Sequence, residues 1–358
     1  MNQGSKLRLE ALAIGSLPHN DVKTAMKLVE KDFRDIPFFP QLANVNRNED
    51  MIFQFLEGMP SFLPSKADNF SIDMESEEFF SSLEELFLDF DEIIANPNLE
   101  KLEKYGISKD FSSTFPFFEQ IISNSKPAYA KGQIIGPFTL SAMLVDNNGR
   151  YVLYDETLRE VIVKLLCLKA LWQIKRIKAA NNETVPIIFM DEPSVSQLGT
   201  SAYLTISEGE VVDMLKEICN VIKSNGGICA VHCCGKCDWN IPIRAGVDII
   251  NFDAFAFSPH LAIYNKEIEK FLLTGGKIAW GIVPTLDSAA LEKLTLNGLV
   301  KIFENSVKYL TNKGIDEKLI IDNSLITSSC GAGSLSIELA DHAMDLVFEL
   351  SNELKMRF

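Results

Sequence analysis

Apolar and polar positions follow two alternating patterns from about residue 128 to the end of the chain. Short apolar runs of the strand type occupy 128–135, 185–190, 227–231, 247–252, 277–282 and 319–322. Most of them are separated by longer stretches, such as 156–180 and 208–224, which predict helices long enough for crossovers. This order predicts repeated units of strand and helix, the pattern of a parallel sheet with helical crossovers.

The N-terminal third is less regular. Residues 7–14 predict a first strand, followed by a helix that ends near residue 33, and the apolar run 36–42 predicts a second strand that prolines interrupt. From about 50 to 125 the sequence indicates helices and loops without a strand, an insertion or a lid. Within it, the Phe-rich acidic stretch 75–92 predicts an amphipathic helix on the flank of the fold.

Eight candidate strands in all, most of them joined by helices, predict an α/β fold. The expected architecture is a single (β/α)8 TIM barrel over residues 1–358, with an elaborated helical N-terminal third. An open, doubly wound sheet is the alternative. It is less favoured because Ile14-Gly15-Ser16, after the first strand, lacks the later glycines of the dinucleotide-binding turn.

Composition and charge narrow the class of protein. The chain has 358 residues, 47% of them hydrophobic and 23% charged, as expected of a folded globular protein. Its net charge of −15, without a long basic run, argues against a nucleic-acid or anionic membrane partner. No apolar run approaches the roughly 18 residues that a membrane span needs. The odd total of seven cysteines predicts free thiols in a reducing cytoplasm rather than a disulfide framework.

The barrel hypothesis predicts where chemistry should lie, because active sites of such barrels form at the carboxyl ends of the strands. Residues with reactive or unusual side chains fall at these positions: Ser16 and His19 after the first strand, Asp191 and Glu192 after the fourth, His232 and Cys234 after the fifth, Asp253 after the sixth, Trp280 at the end of the seventh, and Cys330 after the eighth. We therefore expect one face of the barrel to collect a histidine, thiols and carboxylates.

Four of these residues form a plausible set of zinc ligands. His232 and Cys234 are two positions apart, so in an extended segment they point the same way, whereas Cys233 points into the layer between sheet and helices. Asp253 and Cys330 follow the sixth and the eighth strand, near enough in a small barrel to complete a tetrahedron. Two thiolates, a carboxylate and an imidazole would make an electron-rich zinc site, which binds a substrate thiol and leaves its thiolate nucleophilic.

Short motifs in the expected order resemble a known family. They are Ile14-Gly15-Ser16-Leu17-Pro18, Lys131-Gly132-Gln133-Ile134-Ile135-Gly136-Pro137, Asp191-Glu192-Pro193, His232-Cys233-Cys234 and Ser329-Cys330-Gly331. Together they resemble the catalytic C-terminal barrel of cobalamin-independent methionine synthase. They are also similar to the zinc-dependent methylcobalamin:thiol methyltransferases of the uroporphyrinogen-decarboxylase-like superfamily.

The resemblance implies an activity and roles for particular residues. It implies a zinc-dependent methyltransferase that moves a methyl group from methyl-folate or a methylcorrinoid to a small thiol such as homocysteine. Zinc would be held by His232, Cys234, Cys330 and Asp253, the last standing where the synthase has a glutamate. Ile14, Ser16 and Asp191 would hold the acceptor thiol, with Asp191 also among the catalytic residues.

Two departures from the family bear on the substrates. The synthase has a second, N-terminal barrel that helps to bind folate, and this chain has room for one barrel, which favours a methylated corrinoid protein as partner. The synthase also carries an acidic residue for the amino group of its substrate near the position of residues 43–46, where no carboxylate stands. Another small thiol could therefore serve as acceptor.

Several alternatives remain open. Cys234 and Cys237 have the spacing of a redox pair, and Cys237 could also replace Asp253 in a closed structural zinc site. A non-catalytic barrel, stabilised by zinc or binding a corrinoid or other partner, is the alternative function. His19 is either a catalytic residue that touches the substrate or a capping residue, and Trp280 either a substrate platform or core packing.

Overall fold

A computed structural model of the chain describes residues 7–62 and 71–358. Its strands are β1 (Ala11–Leu12), β2 (Ser71–Ile72), β3 (Tyr129–Ile135), β4 (Val145–Asp146), β5 (Val185–Asp191), β6 (Ile228–Cys233), β7 (Ile249–Phe252), β8 (Lys277–Val283) and β9 (Ser324–Ser328). Its α-helices are α1 (Val22–Asp32), α2 (Glu77–Ala95), α3 (Leu99–Leu102), α4 (Phe115–Ser125), α5 (Pro137–Met143), α6 (Glu156–Ala180), α7 (Glu208–Ser224), α8 (Asn240–Ala245), α9 (Ala254–Leu261), α10 (Asn265–Leu273), α11 (Ser288–Leu291), α12 (Leu296–Thr311), α13 (Glu317–Asp322) and α14 (Ile337–Arg357).

Seven of the strands form one curled parallel sheet in the order β1-β9-β8-β7-β6-β5-β3. Helices connect successive strands from β3 to β9, which confirms the predicted α/β class and its parallel units. β2 and β4 form a separate two-stranded sheet. The sheet is a half-barrel, and the closed eight-stranded barrel that the sequence predicts is not shown by the described residues.

Within the described residues, the hydrogen-bonded sheet is interrupted between β3 and β1, where the sequence predicts the second strand. Residues 36–42 run beside β3 and the end of β1, but each side makes a single parallel bridge, Phe38 with Lys131 and Gln41 with Ser16. Prolines occupy positions 37 and 40 of this segment, and proline has no backbone N–H to donate to a ladder. The segment therefore lies between β3 and the end of β1 without becoming a regular strand.

The two faces of the sheet bury different sets of residues, as the two-residue period of a strand requires. The concave face is filled by a small apolar cluster that includes Ile187, Phe189, Ala230, Ile249, Ala279 and Leu325. The other face packs against the helices in a much larger cluster. Continuing the concave set by two residues along β5, β6, β7 and β9 reaches Asp191, His232, Asn251 and Thr327. The apolar concave core thus gives way to polar side chains at the carboxyl ends of the strands.

The helical N-terminal third packs mainly against α6. Helices α2, α3 and α4 all contact this long helix, and α2 buries the apolar side chains of Phe79, Leu86, Phe90 and Ile93. The predicted amphipathic helix is therefore confirmed, on the flank of the sheet. Residues 49–51, before these helices, instead reach a cleft at the carboxyl ends of the strands, described below.

Two predicted elements differ from the structure. The predicted strand 319–322 is helix α13, because the side chain of Asp316 accepts a hydrogen bond from the N–H of Leu319 and caps a helix. The last strand of the sheet, β9, follows it directly. The short strand β2 also lies in the region where no strand is predicted; its two residues pair with β4.

No helix in the described ranges, 7–62 and 71–358, combines the length and the apolar character that crossing a membrane requires.

Candidate metal centre

Three side chains of metal-binding type meet where β6 and β9 end. His232 lies in β6, Cys234 follows that strand, and Cys330 lies just beyond β9. Their ligand atoms all lie within 4.8 Å of one another. Within the described part of the chain, this is the one group of three or more His, Cys, Asp or Glu side chains gathered so closely. The structure therefore brings together three of the four predicted metal ligands.

The surroundings of His232 fit a metal ligand. The ring is 3% exposed, and its Nδ1 lies 2.5 Å from Oδ1 of Asn251. Among the described residues, its buried Nε2 has no hydrogen bond of good geometry, although Cys234 is close enough for the two groups to shift each other's pKa. An imidazole held through one nitrogen, with the other facing two thiols, is the arrangement in which proteins bind zinc.

The three side chains differ in their protonation states. Hydrogen bonds from Cys330 and from His232 lower the pKa of the Cys234 thiol to about 4. Burial lowers the pKa of His232, but the hydrogen bond to Cys234 and the charge of Asp191 outweigh it and raise that pKa to about 9. The neighbouring Cys234 thiolate and burial raise the pKa of Cys330. Without a metal, the group is therefore a thiolate, an imidazolium and a neutral thiol.

Asp191 lies next to this group. It ends β5 and is paired in register with His232 on one side and with Ile135 of β3 on the other. It is 7% exposed, and its Oδ1 has no hydrogen-bond partner among the described residues. Burial raises its pKa, while the charges of His232 and Lys131 act in the opposite direction. A buried carboxylate oxygen without a partner beside a metal-type group is suited to a ligand contact.

The fourth predicted ligand, Asp253, lies outside the close group. Its side chain caps α9, with Oδ1 accepting a hydrogen bond of 2.9 Å from the N–H of Ala256. Burial raises its pKa to about 6, and the charge of Cys234 acts in the same direction. Asp253 therefore lies within electrostatic reach of the thiols, but its carboxylate is used by the helix that follows β7.

A cleft of about 370 Å³ opens beside Cys330. Ser16, half-buried at the end of the first strand segment, lines it together with Cys330 and with Gly331. Glu49 and Asp50 also reach this wall. The sequence places no carboxylate at 43–46, but the fold brings these two from a few residues further on.

The turn that carries Ser16 is fixed by a buried lysine. The Lys131 ammonium donates hydrogen bonds to the carbonyl of Ile14, at 2.5 Å, and to Oε1 of Gln133, at 3.0 Å. Burial lowers its pKa to about 8. Ile14, a predicted substrate contact, is itself buried and contributes this backbone carbonyl. Sequence reasoning missed Lys131, although a lysine in an apolar strand is a visible signal of a buried charge with partners.

Two further predicted site residues lie away from the close group. His19 is 1% exposed, and its Nε2 is 3.1 Å from Oδ1 of Asp341, an ion-pair distance without hydrogen-bonding angles. Trp280 is fully buried on the helix side of the sheet; its Nε1 donates to Oγ of Ser324 and its ring packs on Phe303. Substrate contact by either residue stays a prediction, and the function proposed below does not use Trp280.

The remaining thiols of the cysteine cluster are on the other face. Cys233 and Cys237 are fully buried in the helix-side core, with their thiols hydrogen-bonded to each other. The predicted orientation of Cys233 is therefore confirmed. Cys237 is outside the group of close ligand atoms, so the structure does not pair it with Cys234 or offer it as a replacement for Asp253.

Glu192, beside Asp191, has a structural role. Its carboxylate accepts hydrogen bonds from the N–H groups of Phe138 and Thr139, both 2.9 Å long, and so caps α5 rather than the segment that follows it. A Cβ on Gly136 would lie 2.0 Å from this carboxyl group, so glycine is required there. The Gly-Pro and Asp-Glu-Pro motifs are therefore two halves of one helix cap.

No protein-family model matches the sequence, and no curated protein matches it. Among solved structures, the chain is similar to a B12-independent methionine synthase from Shewanella sp. W3-18-1 in complex with selenomethionine, with a TM-score of 0.44 and 14% sequence identity. The similarity covers 67% of this chain and 65% of that one, so this chain spans less than two thirds of the length of that protein.

Proposed function

We propose that this protein is a zinc-dependent methyltransferase that transfers a methyl group from a donor to a small thiol such as homocysteine. The observation that carries the proposal is the position of Cys330. It belongs to the close group with His232 and Cys234, and it also lines the cleft of about 370 Å³. A thiol in that cleft would therefore be adjacent to the metal ligands.

The donor set fits zinc, with His232, Cys234 and Cys330 as ligands and a fourth position for the substrate thiol. Zinc, when bound there, would lower the pKa of the coordinated thiol while leaving its sulfur nucleophilic. We assign Asp253 to the fourth position before the thiol binds. The two cysteines and the neutral imidazole supply a site whose charge is near zero, which suits a third thiolate.

The chain's own residues would orient the acceptor. Ser16 lines the cleft, and Asp191 at the end of β5 has a carboxylate oxygen to which no described residue donates a hydrogen bond. We propose that these two groups, with Asp50 on the cleft wall, hold the polar end of the acceptor so that its sulfur points to the metal ligands. We assign His19 to the same side of the site as a substrate contact.

The motif resemblance supports the finer assignments. We propose that residues 36–42 occupy the eighth position of a (β/α)8 barrel, and that the protein acts in the cytoplasm. For the methyl donor we propose a methylcorrinoid delivered by a partner protein, with methyl-folate as the other candidate. Purified protein assayed with methylcobalamin and with methyltetrahydrofolate, each with homocysteine, distinguishes the two donors by the one that is consumed.

Metal analysis tests the ligand set. We expect one zinc per wild-type chain, and a large loss of zinc from His232→Ala and Cys330→Ser, because each removes one of three protein ligands. Cys233→Ala is the matched control, since it removes an adjacent thiol that faces the helices. Full zinc occupancy in both ligand variants would contradict the proposed site.

X-ray absorption at the zinc edge tests whether the site is catalytic. Addition of homocysteine to the zinc-loaded protein should add one sulfur to the metal's neighbours, because the proposed site keeps a position for substrate. Methionine, which has no thiol, is the control and should leave the spectrum unchanged. An unchanged spectrum with homocysteine and with other small thiols would favour the non-catalytic, zinc-stabilised alternative.

A further inference from the structure

We infer that Asn251 is a positioning residue that selects Nε2 of His232 as the metal-binding atom. The inference rests on the proposed function only in taking His232 to be a metal ligand. Asn251 lies in β7, paired in register with His232 on one side and with Ala279 of β8 on the other. Its side chain is fully buried on the concave face of the sheet, so each of its polar atoms needs a partner.

The orientation of the Asn251 amide follows from its neighbours. Its Nδ2 lies 2.8 Å from the backbone carbonyl oxygen of Ala279 and 2.9 Å from Oγ1 of Thr327. A carbonyl oxygen can only accept, so the amide nitrogen must face Ala279 and the amide oxygen must face His232. The rotated amide would place two oxygens in contact. The assignment of nitrogen and oxygen is thereby fixed.

This orientation determines which nitrogen of His232 carries a proton. The Asn251 oxygen can only accept, and it lies 2.5 Å from Nδ1, so Nδ1 must donate. When the imidazole is neutral, its lone pair is then on Nε2. Nε2 is buried on the side of Cys234, and no described residue makes a good hydrogen bond to it. Asn251 therefore presents the lone pair to the two thiols.

The same amide joins four neighbouring strands. It accepts from His232 in β6 and donates to Ala279 in β8 and Thr327 in β9, so all three of its hydrogen bonds are made within the sheet. Thr327 lies three positions before Cys330 on the same chain segment. The network thus fixes the imidazole relative to the strand that supplies the distant thiol, before any metal binds.

An amide is the group that this position requires. Aspartate could accept from His232, but its second oxygen would face the Ala279 carbonyl without a proton to donate. A carboxylate would also add a negative charge to a site that already holds two thiolates. A neutral amide adds no charge to the site, which leaves room in the charge balance for a third thiolate from the substrate.

The test compares zinc affinity among three variants, measured by competition with a chromophoric chelator. Asn251→Leu removes the acceptor and should weaken zinc binding by about 10- to 100-fold, the range for loss of such a partner. Thr327→Val removes one hydrogen bond of the Asn251 amide and should weaken zinc binding several-fold. This variant tests the inference if Asn251→Leu does not fold. Ser324→Ala, which removes a buried hydroxyl on β9 bonded to Trp280, is the matched control and should keep wild-type affinity.

Nitrogen-15 NMR of His232 supplies a readout that a purely structural role would not change. In the zinc-loaded wild type, Nδ1 should carry hydrogen and Nε2 the metal. In the metal-free wild type, the hydrogen on Nδ1 should be protected from exchange with water. In Asn251→Leu this protection should be lost. Zinc bound through Nδ1, equal zinc affinity in wild type and both site variants, or an unprotected Nδ1–H in the metal-free wild type would overturn the inference. Absence of zinc binding in the wild type would instead refute the proposed function, and the metal-free spectrum would still decide the role of Asn251.

Discussion

At the scale of single residues, the candidate metal centre is characterised by the protonation states of its three side chains. Cys234 has a pKa near 4 and is a thiolate at neutral pH, whereas His232, with a pKa of about 9, is protonated. Cys330 is also protonated, because the adjacent thiolate and burial raise its pKa. The metal-free group thus holds two protons that a metal must displace.

Zinc binding at pH 7 should therefore release about two protons, one from His232 and one from Cys330. Both pKa values lie above 7, so zinc affinity should fall as the pH is lowered, by up to about 100-fold per pH unit for two protons. Calorimetry of zinc binding in buffers with different heats of ionisation measures the number. Release of no protons would contradict the charge assignment.

Residue patterns predicted part of this site. His232, Cys234 and Cys330 can be predicted from the sequence because each lies near the end of a strand, and the carboxyl ends of the strands converge at one face of a barrel. The role of Asn251 cannot be predicted in this way. It depends on which residues lie opposite Asn251 in the two neighbouring strands, and a single sequence does not give that register. Asp253 follows its strand as predicted, but its carboxylate is held by the N–H of Ala256.

At the scale of elements, the sequence predicted most helices and strands of the C-terminal two thirds. It failed at 319–322, where three apolar residues suit a buried strand or a short buried helix equally well, and only the capping contact of Asp316 decides. It also failed to show that 36–42 joins its two neighbours only through single bridges. Prolines indicate an irregular strand, but the single bridges depend on the position of both neighbours.

The contact between β8 and β9 sets the path of the chain to Cys330. The pairing of the two strands shifts register between Gly281 and Val283. A Cβ on Gly281 would lie 2.4 Å from the carbonyl oxygen of Phe252 and 2.8 Å from Cα of Ser329. Both are backbone atoms, so they can move only if the strands separate.

Gly281→Ala should therefore destabilise the fold by roughly 1–3 kcal/mol, the usual cost of overpacking, and weaken zinc binding by displacing the Cys330 segment. Chemical denaturation and the chelator competition measure the two effects. Gly298→Ala in the first turn of α12 is the control, because its nearest neighbours are 3.5 Å away and alanine favours the helix by up to about 1 kcal/mol. Equal stability of Gly281→Ala and wild type would show that the strands accommodate the methyl group.

At the scale of the whole molecule, the two ends of the described chain close the fold together. β1 pairs with β9, the hydroxyl of Ser351 in α14 donates to the carbonyl of Leu9, and Lys355 forms an ion pair with Glu10. Helix α1 packs against α14. The site residue Ser16 lies on the segment between β1 and α1, so this seam also supports one wall of the cleft.

One acidic residue in this seam is unfavourably placed at neutral pH. Asp32, at the end of α1, is 3% exposed, and its Oδ2 has no hydrogen-bond partner among the described residues. Burial, together with the carboxylate of Asp345 on α14, raises its pKa to about 6, although Lys31 opposes the shift. The folded protein therefore binds a proton here more tightly than the unfolded chain, whose Asp has its ordinary pKa of 3.8.

Stability contributed by this proton should be present below about pH 4 and lost as the pH rises through 6, because only the folded state holds the proton in that interval. Asp32→Asn removes the charge while keeping the shape, so it should stabilise the protein at pH 7–8 and give no gain below pH 4. The gain should be about 1–2 kcal/mol, less than the roughly 3 kcal/mol that the two pKa values allow, since water screens the more exposed Asp345 and Lys31.

Thermal and urea unfolding of wild type and Asp32→Asn between pH 4 and 8 measure this difference. Asp345→Asn is the informative comparison, because it removes the neighbouring carboxylate that helps to hold the pKa of Asp32 high. The gain from Asp32→Asn should therefore be smaller in that background. A gain that is the same at every pH would mean that Asp32 is charged in the folded state throughout the range. In that case Lys31, which pairs with Asp32 and also with Asp345 on α14, would keep the buried carboxylate charged.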